Sequence, residues 1–361
     1  MPKVSFAHMG PYSPAFRHAF ANLGWEVVVP NRPTQATLSL GFKNAPEFFC
    51  VPFKIMLGTF IEVLEQGADL IVSTGGVGPC RAGHYAQLQR EILRRKGYKF
   101  DMVVFEPIAR DLLGLLRNVA RINRNRSSLP RIIRIVREAL RKIAVIDEFA
   151  AEVVRLRPRE LRRGSADTVY DEALRALDAA EDLRDIERVR QEGLAAFRAV
   201  PFDAAKPVLK VGIVGEIYVL LEPASNLDIE RMLGELGAEA HRSITLSGWT
   251  AENVVTEVGN KAKDAAKPYL GVLIGGHGQE SVGNAVLFGK KGFDGVIQLA
   301  PFTCIPEIVA RGILPAVARD LDLPVLSFFL DEQTGEAGVR TRVEAFVDML
   351  WQRRLMKEGK A

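Results

Sequence analysis

Short apolar runs alternate with amphipathic segments in the first 116 residues and again after residue 205. The runs begin at Val4, Trp25, Ala68 and Met102 in the first stretch, and at Leu209, Leu270, Gly295 and Pro324 in the second. The segments between the runs carry apolar residues at helical spacing. Buried strands that alternate with amphipathic helices are typical of parallel sheets covered on both faces. The pattern therefore predicts an α/β fold with two doubly wound, Rossmann-like or flavodoxin-like domains.

The pattern changes between residues 117 and 205, where glycine almost disappears and Arg, Glu, Ala and Leu dominate. Apolar residues recur there at helical spacing, and Ser127-Ser128-Leu129-Pro130 is a helix start signal. We expect 117–205 to form a helical insertion or domain between two α/β domains, 1–116 and 206–361. Because long amphipathic helices offer dimerisation surfaces, a homodimer is also an expectation.

Composition and charge limit the class of protein. The chain is 48% hydrophobic and 25% charged, which is ordinary for a globular protein. No apolar run reaches the length of a membrane span, and the first residues lack a signal-peptide pattern, so we expect a cytoplasmic protein without membrane contact. From Arg117 to Arg163 basic residues outnumber acidic ones. This cluster fits an anion, an acidic partner or a nucleic acid, or else a solvated helical face, and nucleic acid is the less favoured partner.

The three cysteines are too few and too scattered for a disulfide framework. Cys50 and Cys304 each stand in a Cys–X–Pro setting that opens a helix, with an aromatic residue one or two positions before the Cys, and Cys80 lies in a glycine-rich turn. If all three occupy strand-to-helix turns, they meet where ligands bind in open parallel sheets. Helix N-termini stabilise thiolates and donate N–H groups to cluster sulfurs. The thiols therefore predict one [4Fe–4S] cluster in the interdomain cleft, although buried inert cysteines or a tetrahedral zinc site remain alternatives.

Five further residues are candidates for catalysis or cluster contact: Arg81, Lys54, Glu307, His277 and Glu216. Arg81 and Lys54 would offset cluster charge or steer an anionic substrate. Glu307 would transfer protons beside an open iron, or only favour the dipole of its helix. His277 and Glu216 would line the same pocket, although a tight turn with a surface imidazole explains His277 equally well. A cubane on three cysteines leaves one iron for water, substrate or His84.

Short strings in both α/β portions carry a resemblance to a known family. They are His8-Met9-Gly10, Cys50-Val51-Pro52-Phe53-Lys54, Gly78-Pro79-Cys80-Arg81-Ala82-Gly83-His84-Tyr85, Gly215-Glu216-Ile217-Tyr218, Gly276-His277-Gly278, Pro301-Phe302-Thr303-Cys304-Ile305-Pro306-Glu307 and Asp331-Glu332-Gln333-Thr334-Gly335-Glu336. In these strings the chain resembles the iron–sulfur subunits of the 2-hydroxyacyl-CoA dehydratase and benzoyl-CoA reductase family, above all its acyl-CoA dehydratase activase-related branch.

The resemblance implies a [4Fe–4S] cluster between two similar α/β domains, on three cysteines that correspond to Cys50, Cys80 and Cys304. It also implies an ATP-hydrolysing, actin-like activator protein that carries its own cluster and supplies single low-potential electrons. The implied activity is dehydration or reduction of an acyl-CoA or another small molecule.

Two departures from the family limit this reading. Three cysteines do not suffice for a double-cubane cluster, and the chain lacks a Gly-x-x-x-x-Gly-Lys-Ser/Thr phosphate loop, so we do not expect it to hydrolyse ATP. The leading hypothesis is an ATP-driven redox enzyme or enzyme component. The alternatives are a non-catalytic electron carrier or adaptor, and a structural zinc protein whose basic helices bind nucleic acid.

Overall fold

A computed structural model describes residues 2–76, 80–106, 112–251 and 260–359. The β-strands are β1 (Lys3–Phe6), β2 (Glu26–Val27), β3 (Leu70–Thr74), β4 (Asp101–Phe105), β5 (Leu209–Gly215), β6 (Ala238–Arg242), β7 (Gly295–Pro301) and β8 (Val325–Leu330). The α-helices are α1 (Ser13–Asn22), α2 (Gln35–Asn44), α3 (Val51–Glu65), α4 (Tyr85–Arg95), α5 (Leu112–Ile122), α6 (Leu129–Leu156), α7 (Ser165–Ala179), α8 (Leu183–Ala199), α9 (Ile217–Leu221), α10 (Pro223–Asn226), α11 (Ile229–Glu235), α12 (Leu246–Thr250), α13 (Lys261–Ala266), α14 (Gly278–Lys290), α15 (Ile305–Asp320) and α16 (Glu336–Lys357). Short 3-10 turns cover Gly10–Tyr12 and Arg81–His84.

The strands form two four-stranded sheets with the same topology. Their orders are β2-β1-β3-β4 and β6-β5-β7-β8, and every neighbouring pair is parallel. In each sheet the strand order reverses beside the first strand, which creates a switch point at the carboxyl edge. The prediction of an α/β fold with two parallel-sheet domains is confirmed.

One predicted strand is wrong, and one strand was missed. Residues 270–276 form no strand, and the edge of the second sheet is β6 instead. Val272 and Leu273 are largely exposed, so their apolar character does not reflect burial in a sheet. The β6 sequence has few large apolar residues, because Ala238 and Ala240 cover its buried side. Apolar content alone therefore pointed to the wrong segment.

Helices α5 to α8 occupy the chain between the two sheets. The buried side of α6 includes Ile146, Phe149 and Val153, and it packs in one cluster with Tyr12 from the first half and Leu221 from the second. The helical segment thus contributes to a core shared with both halves, while the domain limits at residues 116 and 205 stay predictions. Among the described residues, no helix has the combination of length and apolar character needed to cross a bilayer.

A buried pair of side chains joins the two sheet-containing halves. His8 Nδ1 lies 2.5 Å from Glu222 Oε2, which also accepts a hydrogen bond from the Gly10 N–H at 2.8 Å. Burial favours the neutral carboxyl, but the hydrogen bond and charge of His8 outweigh it, so the pKa of Glu222 is lowered. A second pair at this joint, Arg32 with Asp228, is exposed.

We expect Glu222→Ala to lower the free energy of unfolding by about 3–5 kcal/mol, because His8 and the Gly10 N–H would lose their acceptor in a buried place. The control Arg32→Ala removes an exposed pair and should cost about 1 kcal/mol or less. Urea unfolding at pH 7 measures both values.

The difference in unfolding free energy between the parent chain and Glu222→Ala depends on pH. A lowered carboxyl pKa stabilises the fold above the unfolded-state pKa, and this contribution disappears as the pH falls through the folded-state value. The gap between the parent chain and Glu222→Ala should therefore shrink in acid. Equal losses for the two variants at pH 7 would contradict the role of the pair.

Candidate functional site

Each cysteine is the residue that immediately precedes a helical segment. Cys50 precedes α3, Cys80 precedes the Arg81–His84 turn, and Cys304 precedes α15. All three are free thiols; Cys50 and Cys304 are buried and Cys80 is half-buried. The expectation of three strand-to-helix turns is corrected for Cys50, because this residue follows α2 rather than a strand. The helix N-terminal placement is observed for all three.

One guanidinium ties the three cysteine turns together. Arg81 donates from Nη1 to the carbonyl oxygen of Phe48 (2.7 Å) and from Nη2 to that of Thr303 (2.6 Å). The Thr303 hydroxyl donates to the same Phe48 carbonyl at 3.1 Å. Each of these residues lies within two positions of a different cysteine. A single side chain from the first half therefore links all three turns across the domain boundary.

The backbone around these turns is closely packed. Thr303 adopts φ 66°, a left-handed conformation that is costly for a β-branched residue and is commonly found at functional sites. Gly276 also has a positive φ, and a Cβ there would lie 3.0 Å from Cγ of Pro306 and 3.7 Å from Sγ of Cys80. Cys80 from the first half thus lies close to the Gly276 backbone of the second half.

The three thiols share one electrostatic environment. Burial raises the pKa of Cys50, Cys80 and Cys304, and the charge of Glu216 adds to the rise at each of them. The Tyr85 hydroxyl, 2.5 Å from Cys50 Sγ, acts in the opposite direction on the pKa of that thiol. The thiols therefore stay protonated at neutral pH unless a positive group offsets the charge of their thiolates.

Two carboxyl groups lie near these thiols. Glu307 is buried and accepts hydrogen bonds from Ser281 Oγ (2.9 Å) and Gln298 Nε2 (2.9 Å), and burial raises its pKa to about 7. Gln298 is held in turn by the Ser327 hydroxyl at 2.9 Å. Glu216 precedes α9 and accepts from the Val219 N–H at 3.1 Å; burial raises its pKa to about 7. Carboxyls with such pKa values are suited to proton transfer at neutral pH.

Two other predicted site residues have different surroundings. His277 lines a separate cavity of about 180 Å³ together with Glu280, and burial lowers its pKa. Lys54 is buried, donates from Nζ to the Glu47 carbonyl (2.9 Å) and lies over the Phe42 ring. Lys54 thus supports the turn before Cys50. His84, the candidate fourth ligand, is exposed.

Sequence reasoning assigned no role to Tyr85, Thr303, Gln298 or Ser281. Tyr85 and Thr303 stand inside the strings that carry the family resemblance, so their position was a usable signal. Gln298 is a polar residue within the buried apolar run of β7, which is another recognisable signal. Ser281 gave no such signal, because only folding brings it to Glu307.

A cavity of about 500 Å³ lies between the two halves, beside the first turn of α3. Val51 and Ile55 line one side, and the loop that contains Asp331 and Thr334 lines another. Arg340 also lines it and has no ion-pair partner among the described residues. The polar loop 331–336, one of the strings that carry the family resemblance, thus lines this cavity.

A family model described as "CoA enzyme activase uncharacterised domain" matches residues 4–73, from β1 to β3. This match links the chain to the CoA enzyme activases. The matched family is a branch related to the dehydratase subunits; the match is not to those subunits themselves. The matched segment contains Cys50 but neither Cys80 nor Cys304. A comparison with curated proteins finds no match.

We expect alkylation of the metal-free chain by iodoacetamide to modify Cys80 before Cys50 and Cys304, because Cys80 is more exposed. In Arg81→Lys, one ammonium cannot bridge two carbonyls with the fixed fork of a guanidinium. Alkylation of the two buried thiols should then be about tenfold faster, because a factor of ten corresponds to the free energy of one hydrogen bond to a charged group. Peptide mass spectrometry measures the rates.

The matched control is Arg95→Lys, which alters an exposed arginine paired with Glu91 within α4. Unchanged rates are expected there. If Arg81→Lys also left the rates of Cys50 and Cys304 unchanged, the guanidinium would not be what holds the turns together.

Proposed function

We propose that the chain is the iron–sulfur redox component of a CoA enzyme activase system. Cys50, Cys80 and Cys304 would hold a [4Fe–4S] cluster in the crevice between the two sheets. When bound, the cluster would supply one-electron transfer and one iron without a thiolate ligand. Low-potential electrons would come from a separate ATP-hydrolysing, actin-like activator with its own cluster. The substrate would be a small molecule, with an acyl-CoA as the candidate, which is reduced or dehydrated.

The observation that carries this proposal is the Arg81 link between the three cysteine turns. Random buried cysteines have no reason to be tied to one side chain across a domain boundary. The chemistry of the donors is consistent with this, because burial raises the pKa of all three thiols; the charge of Cys80 adds to the rise at Cys50, and that of Cys50 adds to the rise at Cys304. A positively charged metal core reverses this effect and deprotonates coordinating thiols.

Residues of the chain have separate roles in this proposal. Arg81 offsets negative charge beside the thiolates, in addition to its positional role. The Tyr85 hydroxyl lies 2.5 Å from Cys50 Sγ and would donate a hydrogen bond to its thiolate; such hydrogen bonds raise the reduction potential of a cluster. Glu307 and Glu216, each with a pKa near 7, would hold or release a proton for a substrate in the crevice.

A multi-iron core and a single zinc ion differ in how closely their ligands must approach one another. A tetrahedral zinc ion holds its sulfur ligands at about 2.3 Å, so the ligands must crowd around one point. Within 2–76, 80–106, 112–251 and 260–359, no three His, Cys, Asp or Glu side chains form a group that could hold one ion. A cluster spans a larger gap between its ligands than one ion does.

Anaerobic reconstitution with iron and sulfide tests the proposal. We expect about four iron and about four sulfide per chain, with an EPR signal on reduction. Cys50→Ser, Cys80→Ser and Cys304→Ser should each lose most of the bound iron. Metal analysis that finds stoichiometric zinc and no iron would support the structural zinc alternative. A reducible cluster whose spectrum no added acyl-CoA or cyanide perturbs would support an electron carrier.

We expect Tyr85→Phe to keep the cluster but to lower its midpoint potential, because one hydrogen bond to a ligating sulfur is lost. Spectroelectrochemical titration of the reconstituted variants measures the shift. Tyr98→Phe is the matched control, since its hydroxyl contacts the exposed Glu65 and lies outside the site. An unchanged potential in Tyr85→Phe would show that this hydroxyl does not tune the site.

A further inference from the structure

An apolar stripe runs along the exposed side of the first half of α6. Leu129, Ile133, Val136 and Leu140 are 69%, 51%, 49% and 37% exposed. Their spacing of four, three and four residues is that of the core positions of a coiled coil. At 3.6 residues per turn the stripe covers only about 60° of the helix circumference. No segment of the described chain covers it.

Unpaired arginines lie on one side of this stripe, with Arg137 next to it and Arg134 farther round the helix, towards α8. Arg134 and Arg137 are exposed, and neither has an ion-pair partner among the residues that the structure describes. Together with Pro130, Ile133, Glu138, Asp182, Leu183 and Arg184 they line a groove of about 450 Å³ between α6 and the start of α8. The two carboxylates are already engaged, because Glu138 pairs with His18 and Asp182 caps α8, so the three arginines leave the rim of the groove positively charged.

We propose that this surface of α6 docks an amphipathic helix of another protein whose apolar seam is flanked by acidic residues. The heptad spacing of the stripe would allow the apolar side chains of a facing helix to pack between its residues, as knobs into holes. The arginines would pair with the acidic flank, which supplies specificity and a faster encounter. This surface shares none of its residues with the cysteine crevice, so the inference does not depend on the proposed function.

Two other occupants fit the surface less well. In an antiparallel pair of two copies of this chain, equivalent flank positions meet, so Arg137 would face its own counterpart. A membrane surface favours a wider apolar face with aromatic residues, whereas the exposed large apolar residues of this stripe are all aliphatic. An amphipathic helix with acidic flanks fits both the narrow apolar stripe and the positive charge of the arginines beside it.

The test uses the full chain and three probes. The first probe is a fluorescent synthetic helix with leucine seam positions and glutamate flanks. The second has the same seam and lysine flanks, and the third is vesicles that contain phosphatidylserine. By fluorescence anisotropy, we expect the glutamate helix to bind at least about tenfold more tightly than the lysine helix. Ile133→Ser should weaken binding of the glutamate helix, because it removes a seam residue.

Charge reversal supplies the decisive comparison. The double variant Arg134→Glu with Arg137→Glu should lose the glutamate helix and gain the lysine helix, which no unfolded protein would do. Arg131→Glu changes the same charge on the side of α6 away from the stripe, and it should leave the preference unchanged. Circular dichroism checks that each variant is folded.

Several results would overturn the inference. Equal binding of both helices, or binding of neither, would remove the charge argument. Tight binding of the vesicles with no binding of the glutamate helix would assign the surface to a membrane. A dimer seen by analytical ultracentrifugation that Ile133→Ser dissociates would assign it to a second copy of the chain.

Discussion

The candidate site depends on one interaction, the pair of hydrogen bonds from Arg81 to the carbonyls of Phe48 and Thr303. A guanidinium presents several donors in a fixed plane, so it can hold two backbone segments at a defined separation. These segments belong to different halves of the chain, and each leads into a cysteine. The positions of the thiols relative to one another therefore rest on the side chain of Arg81 as well as on the cysteine turns themselves.

Burial gives the same crevice its chemical character. It raises the pKa of the cysteine thiols and brings the pKa of Glu216 and Glu307 to about 7. Buried thiols with a raised pKa are deprotonated most readily beside a positively charged centre. Carboxyls with a pKa of about 7 can exchange protons at neutral pH. Both consequences follow from the enclosure of the crevice by two domains, which excludes water from groups that would otherwise ionise normally.

The joint between the halves is reinforced away from the thiols. The buried His8–Glu222 pair connects the loop after β1 with the segment after α9, and the helical segment packs against both halves. Movement of one half relative to the other must disrupt these contacts. The shared core thus preserves the alignment that Arg81 needs in order to reach both carbonyls.

The sequence by itself determined the α/β class, the two parallel sheets and the helical segment, because buried strands and amphipathic helices leave distinct periodicities. It also indicated the cysteines, Arg81, Glu216 and Glu307 as residues of one site. Only the tertiary structure decided that β6 is an edge strand, that Lys54 supports a turn, and that His277 lines a separate cavity. These outcomes depend on contacts between residues that are far apart in the sequence. The local sequence pattern contains no information about such contacts.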